Sequence, residues 1–101
     1  MDTDSFDEQL REGEERLARG QAAEAVPCLQ RCVELRPDDA RARLSLGQAL
    51  SEIGRDAEAL GQLEQAIALD ASQVRGHIRL GNVLRALSRT GEAVEAYGRA
   101  M

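Results

Sequence analysis

Apolar residues along the chain fall three or four positions apart rather than alternating. One run reads Leu44, Leu46, Leu50 and Ile53, and after a break a second reads Ala59, Leu60, Leu63, Ala66 and Ile67. That spacing gives an α-helix one buried face, so the break separates two helices. The pair of helices is repeated along the sequence. Gly13, Gly47 and Gly81 stand 34 residues apart, as do Ala25, Ala59 and Ala93, and Glu24, Glu58 and Glu92. Large apolar residues recur at Leu29, Leu63 and Tyr97, small ones at Cys32, Ala66 and Ala100, and aliphatic ones at Val26, Leu60 and Val94. Recurrence without a gap in so many columns marks a stack of helical-hairpin repeats.

Punctuation sets the boundaries. Within a repeat the turns are expected at Arg19-Gly20-Gln21, Gly54-Arg55-Asp56 and Ser88-Arg89-Thr90, where a left-handed residue ends the first helix. Between repeats they are expected at Arg36-Pro37-Asp38-Asp39 and Asp70-Ala71-Ser72, with Pro37 stopping one helix and Asp38 and Ser72 capping the next. The resulting division is an acidic lead-in over 1–5, repeats over 6–39 and 40–73, and an incomplete third repeat over 74–101. The glycine and alanine columns have a packing role. They let two antiparallel helices approach closely while Leu63 or Tyr97 fills the space beside them.

With these residues in place, the chain resembles the tetratricopeptide repeat family. The matching residues are Leu46-Gly47, Leu50, Ala59, Leu63 and Ala66 in the second repeat, and Leu80-Gly81, Leu84, Ala93, Tyr97 and Ala100 in the third. The first repeat matches through Gly13, Gly20, Ala25, Leu29 and Pro37. The resemblance spans residues 6–101. It implies an all-α fold, a right-handed α-solenoid of antiparallel helix-turn-helix repeats, and a protein-binding role whose partner the fold does not specify.

The sequence also departs from that family. Gln9, Arg43 and His77 replace its first-helix aromatic, and Glu12 and Arg16 replace apolar residues in the first copy, as suits an end repeat facing solvent. At the other end the sequence stops at Met101, within the last helix. Val94, Tyr97 and Met101 are therefore expected to keep part of an apolar face unburied, a candidate self-association edge for a weak homodimer.

Charge narrows the partners. The net charge is −5, and residues 1–15 alone carry seven acids against Arg11. With a pI near 4.9, general nucleic-acid binding is not expected, since phosphate contacts need a basic excess. All 13 basic residues are arginine, a bias expected of a high-GC bacterial genome. No apolar stretch is long enough for a membrane span and no basic-apolar leader opens the sequence, so a cytoplasmic location and no membrane partner are expected. Cys28 and Cys32 lack the companions of a zinc site and are expected to be reduced packing thiols.

Catalysis, cofactors and metals find no support. The only histidine, His77, is expected to pack or lie partly exposed, the Asp38-Asp39 pair sits where capping accounts for it, and no phosphate loop or nucleophile motif occurs. The resemblance instead implies a concave groove lined by the first helices. Its positions carry acids in the first copy, Arg41, Ser45 and Gln48 in the second, and Arg75, Arg79, Asn82 and Arg85 in the third. Arginines suit a carboxylate and amides suit an extended backbone, so an acidic peptide partner is expected. Some family members clamp the C-terminal carboxylate of heat-shock chaperones. Arg75 and Arg79 fit the last part of that clamp, but Leu10, Glu14 and Ser45 stand where Lys, Asn and Asn are implied, and Glu14 would repel the carboxylate. The overall expectation is a non-catalytic interaction module. The alternatives are the N-terminal repeats of a larger enzyme or secretion assembly, and a self-associating scaffold.

Overall fold

A computed structural model describes residues 2–101 as six helices: α1 (Asp2–Ala18), α2 (Ala22–Leu35), α3 (Ala40–Glu52), α4 (Asp56–Leu69), α5 (Val74–Ala86) and α6 (Thr90–Ala100). They form three hairpins stacked side by side into an elongated body of 44 × 24 × 19 Å. Each helix packs on its chain neighbours, and α1, α3 and α5 also touch in succession along one face. This is the helical-repeat solenoid that the 34-residue period implies. Helix α1 starts at Asp2, within the acidic lead-in expected over 1–5; Met1 lies outside the described residues.

Each hairpin closes around its glycine. A Cβ on Gly13 would meet Leu29 at 2.7 Å, one on Gly47 would meet Leu63 at 2.7 Å, and one on Gly81 would meet the Tyr97 ring at 2.6 Å. The missing side chain is thus the socket for the large residue of the second helix. Ala25, Ala59, Ala93, Leu29 and Leu63 are buried in one continuous core with Leu46, Leu50, Val83 and Leu84. A small second cluster joins Phe6, Cys32 and Ala42, and the Arg36 guanidinium lies over the Phe6 ring at 4.0 Å from its centroid. Burial pushes the Cys32 thiol up to about 11, so it stays protonated and packs as a small apolar group.

The turns within repeats fall where expected. Gly20 and Gly54 have φ of +76° and +84°, and Ser88 takes the same left-handed conformation at +62° despite its Cβ. Capping differs from expectation by one residue at two places. The cap of α3 is Asp39, whose carboxylate accepts from the Ala42 amide at 2.8 Å, and Asp38 is exposed. The cap of α5 is Gln73, while Ser72 donates through its amide and hydroxyl to the Asp70 carboxylate and so shapes the turn before it. At α3 two adjacent aspartates were competent to cap and the backbone path selected one, whereas at α5 Gln73 holds the cap position without a side-chain capping bond, because Ser72 is engaged by Asp70.

Two departures from the family pattern turn out to do one job. Arg43 donates to the Pro37 carbonyl at 2.7 Å, and His77, buried, donates from Nε2 to the Ala71 carbonyl at 2.8 Å. Both pairs are separated by six residues and lie 34 apart. A polar side chain in the aromatic's place therefore ties each inter-repeat turn to the helix that follows it.

Candidate functional site

The first helices of the three repeats line a concave cavity of about 540 Å³. Its walls are Glu14 and Leu17 from α1, Arg41, Leu44, Ser45 and Gln48 from α3, and Gln73, Arg75 and Arg79 at α5. Five of the expected groove residues therefore meet around one space: Arg41, Ser45, Gln48, Arg75 and Arg79. The i, i+3 and i+4 spacing within each helix places them on one stripe, and the hairpin stacking brings the stripes together.

Their states differ. Arg41 is engaged by Glu14, to which it donates from Nε at 2.8 Å and Nη2 at 2.5 Å, a bidentate pair between repeats. Ser45, only 8% exposed, donates its hydroxyl to the same carboxylate at 3.1 Å. Hydrogen bonding to Glu14 holds the Arg41 guanidinium even more firmly protonated than usual. The Gln48 amide donates to Glu52 one turn along α3 at 3.0 Å. By contrast Arg75 and Arg79 have no acidic partner among the described residues. The cavity holds three arginines against one glutamate, and two of the arginines are unpaired.

Asn82 and Arg85 do not line this space. Asn82 accepts from the Tyr97 hydroxyl at 2.5 Å, which commits its carbonyl oxygen inside the third hairpin, and Arg85 is exposed in the last turn of α5. Glu14 is the residue whose role sequence reasoning understated. It was expected to repel an incoming carboxylate, but its bond to Arg41 spans 27 residues and has no local signature.

The α6 edge divides likewise. Val94 is 65% exposed and Met101 is fully exposed, whereas Tyr97 is half-buried on Gly81 and hydrogen-bonded to Asn82. Among the described residues no helix is long and apolar enough to cross a membrane.

The model of the tetratricopeptide repeat family matches residues 10–75 and 57–101. No curated protein matches the sequence. Several solved structures do. MamA from Desulfovibrio magneticus RS-1, residue 41 to the end, is 27% identical over 95% of this chain and 54% of that one, with a TM-score of 0.90. The TPR2B domain of yeast Sti1, in complex with pHsp70, is 26% identical over 95% of this chain and 77% of that one, also at 0.90. The Yersinia enterocolitica type III secretion translocator chaperone SycD, at 20% identity over 96% and 74%, shares the fold with a TM-score of 0.89. The chain spans about half the length of the MamA structures it matches.

Proposed function

The chain belongs to the tetratricopeptide repeat family, and we propose that it is a non-catalytic interaction module whose concave face binds an extended, acid-bearing segment of a partner protein. The observation that carries this reading is the pair of unpartnered arginines, Arg75 and Arg79, facing one cavity of about 540 Å³. Repeats of this family generally bind proteins rather than catalyse reactions, and the Sti1 structure is of a complex with pHsp70. An arginine fork offers two parallel donors to a carboxylate and holds it better than a point charge does. Leu17 and Leu44 supply an apolar floor beside those donors.

The test is fluorescence anisotropy with labelled acidic peptides, comparing the unmodified chain with the Arg75→Glu, Arg79→Glu double variant. Affinity should fall more than about tenfold, as removal of charged contacts at an interface generally requires, while the helical circular dichroism stays unchanged. Equal affinity for both proteins would remove the groove from consideration.

Val94 and Met101 support a second reading, association of two copies through the exposed face of α6. Tyr97 contributes less to such an edge because its hydroxyl is already engaged. A concentration-independent monomer in sedimentation would dispose of this reading.

A further inference from the structure

The groove does not carry one sign of charge along its length. Around Arg75 and Arg79 it is basic. At α1 a second hollow of about 430 Å³ adjoins the first, and there three acids, Asp7, Glu14 and Glu15, stand against Arg11 and Arg41. Glu14 and Arg41 line both spaces and are bonded to each other. Glu14 therefore occupies, from within the protein, the place a ligand carboxylate would take on Arg41 and Ser45. With these donors committed, the unpartnered guanidinium groups of the first cavity are those of Arg75 and Arg79 at α5, whereas at α1 Arg11 stands among three acids. A second carboxylate reaching toward α1 meets Glu14, Asp7 and Glu15.

We infer that the groove selects a charge-asymmetric peptide, with a carboxylate over Arg75 and Arg79 and a cationic side chain over the acids of α1, and that Glu14 enforces this rule. The inference rests on the peptide-binding function proposed above and specifies its ligand. Helices α1, α3 and α5 follow one another across the concave face, so α1 and α5 are two interhelix distances apart, about 16–20 Å. An extended chain advances about 3.3 Å per residue, so the two charges of the ligand are about five or six residues apart. Like charges facing each other across an interface discriminate strongly against the wrong ligand, while opposite charges fix its register.

The experiment uses two labelled peptides with acetylated and amidated ends, identical except at one position. The first carries Glu near one end and Arg five residues away; the second carries Glu at both positions. The unmodified chain should bind the Glu/Arg peptide about tenfold more tightly than the Glu/Glu peptide at low salt, a ratio that shrinks as ionic strength rises. In Glu14→Gln the released Arg41 should improve the Glu/Glu peptide, bringing the ratio below about threefold. Equal affinity of the two peptides for the unmodified chain, or a ratio unaltered in a folded Glu14→Gln, overturns the inference. If both peptides then still lose affinity on Arg75→Glu, Arg79→Glu, the peptide-binding function stands without this selectivity. If neither peptide binds at all, both readings fail. Should Glu14→Gln prove unfolded, the peptide ratio and its salt dependence in the unmodified chain decide the matter.

Discussion

In the second hairpin Leu63 sits over Gly47 with none of its surface exposed, whereas in the third hairpin Tyr97 sits over Gly81 and keeps part of its ring accessible. The sockets are alike, since a Cβ on either glycine would overlap the facing side chain. The surroundings are not. Leu63 lies on α4, which packs against α3 of its own hairpin and α5 of the next, and it is wholly enclosed, so an aliphatic side chain fills the space. Tyr97 has a repeat on one side only in this structure, and its hydroxyl finds Asn82. The glycine column thus fixes the approach of two helices, and the neighbours decide what chemistry the filler carries.

The comparison is broken most severely by Leu63→Ala, which should lower unfolding stability by about 2–5 kcal/mol in a denaturant titration, because no part of the lost volume opens to solvent. Next comes the socket itself. Gly47→Ala should cost about 1–3 kcal/mol, since the enclosed Leu63 has little room to move. Gly81→Ala should cost less, because the Tyr97 ring can swing outward, and nearly equal losses would show that the two sockets are equally confined. The turns give a smaller effect of opposite sign. Ser88 holds a left-handed conformation that glycine adopts without steric penalty, so Ser88→Gly should raise stability by about 0.5–1 kcal/mol. Smallest is Tyr97→Phe, which deletes one half-exposed hydrogen bond and should cost about 0.5 kcal/mol, read as a small shift of the thermal midpoint.

The repeat and its turns were legible because they depend on spacing. Gly20, Gly54 and Ser88 are left-handed and each glycine socket is paired with the expected large residue, all recoverable from a 34-residue interval. The caps were half legible. Asp38 and Asp39 are chemically alike, and only the direction in which the chain leaves Arg36 decides which carboxylate reaches the Ala42 amide. The groove was legible as a set of positions but not as a set of states. That Arg41 is paired and Arg75 is not depends on Glu14, which lies in another repeat and meets Arg41 only once the hairpins stack. The state of Asn82 was hidden for the same reason, since its partner Tyr97 lies 15 residues away on the other helix of the hairpin. Register along one helix is written in the sequence, but pairing between helices is settled by rotamers.

The neighbour-only packing of the six helices has a kinetic side. Among the described residues each helix touches elements adjacent in the chain or one step beyond, and α1 makes no contact with α5 or α6. Contacts so close in sequence require little loop closure before they form, a topology that folds in microseconds to milliseconds rather than seconds. Opening should be graded for the same reason. Amide hydrogens of α3 and α4, flanked by a hairpin on each side, should exchange most slowly, and those of α6 should exchange first, through fraying that leaves the rest of the stack intact.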